Sequence, residues 1–363
     1  MKRYLELDGL RGIAAFAVFV THAFGLIWNT PIQIPLITPI INSPISILWN
    51  GSAAVDFFFV LSGFVLALPF LAHNKKINYL DFIKRRFLRI YPTYWGAMFL
   101  AVIMRMFYKS GSLLGLSDWI NSYWNHAIPI KQVIKQIFFH IILIMPGIET
   151  PLLNPVIWTL SVEMKVSLVL PIFFWLLGFS YNLNLLNIIV SILCFLGSII
   201  FSWRFNYFEY LPLFVMGVLV AKHKDFFLSY VMKFSRFVVL KYLLLCLALY
   251  LYASRYSLIY FDQYQQHFIS ALGSCLIIII TISYTEISKI VTCSIIEFLG
   301  EISYSFYLIH LPIMIYFSSL IYPATKSLIF CWLTSLVLSI ILGYCLNRII
   351  EIPSQKLAKK LSI

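Results

Sequence analysis

Apolar runs long enough to cross a bilayer recur from one end of the chain to the other, and no polar stretch between them has room for a separate soluble domain. A hydrocarbon core about 30 Å thick takes roughly 20 helical residues at about 1.5 Å rise each. Runs of that order lie at about 10–29, 51–72, 91–108, 155–178, 185–203, 205–221, 237–253, 266–284, 302–321 and 328–349. Composition points the same way. Charged residues make up 11% of the 363, against about a quarter in a soluble globule, and hydrophobic residues make up 61% at a mean hydropathy of +0.90. The expected fold is therefore all-α: a polytopic transmembrane helical bundle of about ten spans, forming one membrane domain over 1–363.

Charge sets the orientation. Lys and Arg concentrate on the cytoplasmic side of short loops, and ten spans with both termini cytoplasmic place most of the 27 Lys and Arg there, while Arg105 and Lys165 fall within spans. The shorter piece IFFHIILIMPG at 137–147 reads as re-entrant or interfacial, because a run of that length rarely crosses alone. Counting it as a span would invert everything after it and put KHKDFFLSYVMKFSR outside. Much of the net charge of +13 is thus the ordinary orientation signal, which argues against a nucleic-acid partner. The first helix, with its polar interruptions, reads as retained and not as a cleaved signal. Cys194, Cys246, Cys275, Cys293, Cys331 and Cys345 show no CxxC spacing, so neither zinc nor a disulfide framework is expected.

Two costly residues stand in the first run, ELDGLRGIAAFAVFVTHAFGLIW. Arg11 and His22 are eleven residues apart, three helical turns plus about 20°, and so share a face. Asp8 lies on the same stripe and can pair with Arg11. With Arg11 at the cytoplasmic edge, His22 lies about 16 Å deeper, near mid-bilayer, where an ionisable group usually faces an internal cavity. Glu163 and His310 reach about 12 Å from opposite sides by the same count, so the three can surround one chamber. A lone membrane histidine is often a hydrogen-bonded packing residue, which for His310 is an equal reading. Lys165 stands two positions from Glu163, on the opposite helix face, and is a poor partner for it. The remaining histidines gain no role.

A basic patch, DFIKRRFLRIYP, follows the second span, with Arg86 and Arg89 on one helix face. Such a patch serves topology or anionic lipid, or its guanidinium forks grip the phosphates of a cytoplasmic ligand.

Taken in order, several motifs resemble integral-membrane acyltransferase family 3: Arg11 and His22 after LDGLR; FFVLSGF inside VDFFFVLSGFVLA; Arg86 and Arg89 running into Ile90 and Pro92; Trp158, Ser161 and Glu163; and YSFYLIHLPI containing His310. The sequence departs from the family pattern after Glu163, where Met164, Lys165, Val166 and Ser167 replace an acidic or glutamine pair and two aromatics. The resemblance implies a multi-pass enzyme of the cell (inner) membrane that moves an acyl group from cytoplasmic acetyl-CoA or another acyl-CoA to a hydroxyl of an extracytoplasmic glycan or other acceptor, with no metal. Its implied site has His22 and Glu163 as catalytic residues and Arg11, Arg86, Arg89, Ser161 and His310 as donor- or substrate-binding residues. His22 then acts as general base or as a covalent acyl carrier, with Glu163 or His310 orienting it or the acceptor. Only a short tail, IEIPSQKLAKKLSI, follows the last run, so no further hydrolase-like domain is expected there. A lipid-linked sugar flippase or other transporter, or a polysaccharide polymerase, is the rival class. A flippase calls for a cationic path through several spans, and the long segment 109–157 keeps the polymerase open. The sequence does not set the oligomeric state.

Overall fold

The computed structural model describes residues 4–32, 48–73, 78–109, 111, 113–124, 153–178, 184–202, 208–234, 237–254 and 262–360, and the expected re-entrant piece at 137–147 lies outside them. Among the described residues there are helices and no strands. In chain order these are α1 (Leu5–Gly25), α2 (Gly51–His73), α3 (Tyr79–Phe107), α4 (Asp118–Trp124), α5 (Trp158–Gly178), α6 (Asn184–Ser202), α7 (Leu211–Lys222), α8 (Lys224–Phe234), α9 (Val238–Tyr252), α10 (Gln263–Ser283), α11 (Thr285–Val291), α12 (Ser294–Thr325), α13 (Leu328–Leu346) and α14 (Ile352–Lys360). Seven described helices are long and apolar enough to cross a membrane. Each of the ten expected spans overlaps a helix, although α7 and α9 have only 12 and 15 residues.

Two helices begin well before the apolar runs that announced them. α3 starts at Tyr79, not near 91, so Lys84 to Arg89 ride on the helix itself. The cause is local: no breaker stands between Tyr79 and Pro92, and Lys, Arg, Leu and Phe all continue a helix readily. α12 likewise starts at Ser294 and runs for 32 residues, about 48 Å, with Pro312 and Pro323 inside it.

The chain divides into two compact units, one of Met1–Ala14, Ser52–Tyr79 and Lys165–Glu301, the other of Ala15–Gly51, Leu80–Met164 and Ile302–Ile363. In the first, α2 and α7 meet backbone to backbone. A Cβ on Gly63 would strike the Phe214 carbonyl, and one on Gly217 would strike the Val60 carbonyl. Small residues let membrane helices approach this closely and gain dispersion contacts, and Phe59 stacks on Phe214 beside the crossing at 5.0 Å. Gly63 is the glycine of the FFVLSGF stretch, so that motif is a packing device in this unit. Replacing Gly63 by Leu is expected to cost several kcal/mol, since neither backbone can yield, and to show as loss of the monodisperse peak in detergent gel filtration.

The same unit buries a cluster of ionisable side chains. His267 Nδ1 of α10 lies 2.7 Å from Asp56 Oδ1 of α2, and its Nε2 lies 3.7 Å from Glu209 Oε1. Asp56 is 1% exposed. Mutual pairing is what permits such groups at membrane depth.

The core of the second unit is the later part of α12. Ile302, Phe306, Leu308, Ile309, Leu311, Ile313, Met314 and Ile315 are all buried there. Ser327 caps α13 by accepting from Phe330 N, and Gly343 of α13 lies against Phe306. A π-helical turn at Asn347–Glu351 then carries the chain on into α14.

Candidate active site

The contacts of His22, His310, Glu163 and Arg86 lie within the second unit. His310 sits near the midpoint of α12 with no exposed surface. Its position on the helix follows from an exception to helix bonding: Pro312, four residues beyond Leu308, has no N–H for the Leu308 carbonyl. The buried Asn154 side chain supplies the missing donor, its Nδ2 bonding Leu308 O at 2.7 Å while its Oδ1 accepts from Val156 N at 3.4 Å. One amide therefore ties the turn beside His310 to the start of α5. Asn154→Ala leaves that carbonyl unpaired and is expected to cost about 1–3 kcal/mol, read as a lowered thermal midpoint of the protein in lipid nanodiscs.

His22 stands in the last turn of α1 and its ring is nearly coplanar with that of His310. His22 Nδ1 and His310 Nε2 are 2.8 Å apart, and His310 Nδ1 is 2.6 Å from the Tyr307 carbonyl. Protonation states follow from these partners. A carbonyl oxygen only accepts, so His310 Nδ1 carries the proton that points at Tyr307. With both rings neutral, His310 Nε2 is then an acceptor and His22 Nδ1 donates to it. His22 Nε2 is left with a lone pair, which is the arrangement a general base needs.

Glu163 and Arg86 form the second pair. Arg86 Nη2 donates to Glu163 Oε1 at 2.7 Å, with side-chain exposures of 7% and 24%. Arg89 is half-buried one turn further along α3. The Tyr304 hydroxyl of α12 donates to Ile90 O of α3 at 2.8 Å. Tyr304, Tyr307 and His310 follow one another at three-residue intervals on α12, so Tyr304 lies about 9 Å along that helix from His310. Between them the Tyr307 and Thr159 hydroxyls are 3.0 Å apart.

Of the residues singled out from sequence, His22 meets His310, and Glu163 meets Arg86. Ser161 is half-buried two residues before Glu163. Arg11 pairs with Asp8 at 3.3 Å in the first unit. Sequence reasoning passed over Asn154, Tyr307 and Glu351. The signal for Asn154 was Pro312, which announces an orphaned carbonyl. Glu351 is a buried acid at the end of an apolar run, accepting from Ser305 Oγ at 2.6 Å, Asn347 Nδ2 at 3.1 Å and Gln355 Nε2 at 2.9 Å. No cluster of His, Cys, Asp and Glu suited to a metal occurs among the described residues.

Long apolar helices around a proton-accepting imidazole pair define a multi-pass helical membrane protein with a buried polar site. The acyltransferase-domain family matches residues 4–348, nearly the whole chain, and the protein belongs to that family. The chain is also similar to Acyltransferase MdmB of Streptomyces mycarofaciens, 30% identical over 172 residues, which are 47% of this chain and 39% of that protein. Protein 2 in picA locus of Rhizobium radiobacter is 36% identical over 120 residues, 32% of this chain and 51% of that protein. The chain thus spans about two-fifths to one-half the length of these relatives. No solved structure matches it.

Proposed function

We propose that the protein is a membrane-bound O-acyltransferase of the cell (inner) membrane. In this reading it carries an acetyl group from cytoplasmic acetyl-CoA to a hydroxyl of an extracytoplasmic glycan such as a surface polysaccharide. The observation that carries the reading is the hydrogen bond from His22 Nδ1 to His310 Nε2, because it leaves the His22 Nε2 lone pair for the chemistry. Family membership favours acyl transfer over the flippase and polymerase readings. The printed name of the Streptomyces relative supports the same class.

The steps balance without a metal or redox partner. His22 Nε2 takes the proton of the acceptor hydroxyl as its oxygen attacks the thioester carbonyl. The tetrahedral intermediate collapses, the C–S bond breaks, and the CoA thiolate leaves with the proton that His22 returns. Products are the O-acyl ester and CoA thiol. While His22 holds two protons, His310 Nε2 accepts from its Nδ1 and spreads the charge. Arg86 and Arg89 hold the donor's phosphates, with Glu163 fixing the Arg86 fork. Ser161 and Arg11 serve substrate binding, Arg11 as a fixed cation towards the cytoplasmic end of α1.

His310 acts through His22, so its test separates acceptor from bulk. Gln keeps an oxygen that can accept from His22 Nδ1, and Ala does not. His310→Ala is expected to lower kcat about 100-fold or more, and His310→Gln to recover part of that loss, measured as labelled acetyl transfer at matched protein levels. Wild-type rates in both variants would remove His310 from the reaction.

A further inference from the structure

A short helix outside the apolar runs holds one aromatic ring against His22. α4 is clipped to the end of α1: Ser117 N bonds Leu26 O at 2.9 Å and Ser117 Oγ bonds Gly25 O at 2.6 Å. Asn121 Nδ2 gathers the carbonyls of Leu113, Leu116 and Ser117 at 3.1, 3.2 and 3.1 Å. Ile120 and Trp124 are buried beneath, Trp124 against Tyr108 at 5.6 Å. So anchored, α4 sets the Trp119 indole 5.4 Å from the His22 ring, with 22° between the planes. Gly25 is what lets the indole in, since a Cβ there would stand 2.7 Å from the ring. Two further rings brace it. Trp28 lies 5.4 Å away and Tyr123 lies 5.4 Å away edge-on.

These rings are not sealed in a core. Trp28 is 38% exposed and Trp119 is half-buried. Interfacial aromatic belts place rings at headgroup level, whereas here one indole is set against an imidazole and two further rings brace that indole. An indole face carries negative charge density, which complements the C–H bonds on the flat face of a pyranose ring, while the hydroxyls project from the sugar's edge. An open-chain polyol has the same hydroxyls and no such face.

We propose that Trp119, braced by Trp28 and Tyr123, is the platform on which the acceptor lies, a hexopyranose whose C–H face rests on the indole and one of whose hydroxyls reaches His22. The role of His22 in this statement rests on the acyltransferase reading; the platform itself is a binding claim and is tested as one.

The full chain is placed in lipid nanodiscs, free of glycoside detergent, and offered methyl hexopyranosides or the open-chain hexitol. Saturation-transfer NMR with irradiation of aromatic protons reads which ligand protons lie on a ring. Wild type is expected to saturate the pyranoside face protons and barely touch the hexitol. Trp119→Ala is expected to lose the pyranoside signal and Trp119→Phe to keep part of it. With acetyl-CoA as donor, Trp119→Ala is also expected to raise the pyranoside KM about tenfold with the donor KM unchanged. Should the alanine variant fail to fold, Trp119→Phe and Trp28→Ala carry the same comparison. Equal saturation in wild type and the variants, no pyranoside saturation at all, or a hexitol signal matching the pyranoside would overturn the platform. Trp119-dependent pyranoside binding without acetyl transfer in wild type would sink the acyltransferase reading and leave the platform standing.

Discussion

Replacing His22 by alanine is expected to lower the acetyl-transfer kcat about 10²–10⁴-fold, the usual contribution of a positioned general base. The measurement is transfer of labelled acetyl from acetyl-CoA to acceptor by purified protein, with glycan O-acetyl content compared in cells at matched membrane levels. Two features make the effect large. His22 is the member of the pair with a free ring lone pair, since His310 spends its own nitrogens on Tyr307 O and on His22. His310 is also fixed by its bond to the Tyr307 carbonyl, so its Nε2 stays aimed at the position His22 occupies and not at the site His22 Nε2 faces. His22→Gln keeps a donor for His310 but no base, so it should be as inactive as His22→Ala. A glutamine variant with wild-type turnover would show that proton removal is not the task of this ring.

Arg86→Ala is expected to raise the donor KM about 100-fold, the scale of losing one side of a hydrogen-bonded charge pair, while the acceptor KM stays near wild type. Lysine should not rescue it, because a single ammonium cannot reproduce the two-pronged fork. Arg86 is nearly buried and pairs with Glu163 at 2.7 Å, so its removal also strands a carboxylate. The double variant Arg86→Ala/Glu163→Gln separates the two causes. If Arg86 holds the donor's phosphates, the double variant stays as weak as Arg86→Ala. If the loss comes from an unpaired Glu163, it recovers. Unchanged donor affinity in Arg86→Ala would return the basic stretch of α3 to topology or lipid contact.

How far the sequence led can be seen in individual residues. Hydropathy runs gave depth along each helix, and depth was enough to bring His22 and His310 into one discussion, as it was for the stripe that carries Asp8 and Arg11. Depth does not say which helix faces which. Glu163 and His310 stood at similar depth, yet Glu163 meets Arg86 and His310 meets His22, a choice made by helix rotation that no periodicity of one segment records. The starts of α3 and α12 were also illegible, because charged helix formers extend a helix past the lipid without extending the apolar run. Trp119 carried no signal, being one of three aromatics in the segment 109–124 until Ser117 ties it back to the end of α1. Asp56 and His267 were hidden in the same way, since their pairing joins two segments of the first unit 211 residues apart.

The central claim is a proton arrangement: His22 protonated on Nδ1 and bare on Nε2, with His310 as its acceptor. Nitrogen-15 NMR of histidine-labelled protein in lipid nanodiscs reads it directly, with the His22→Gln and His310→Gln variants assigning the signals. The expected result is an unprotonated Nε2 on His22 and a hydrogen-bonded Nδ1–H whose shift moves when His310 is replaced. A protonated Nε2 on His22, or an Nδ1 indifferent to His310, would contradict the account.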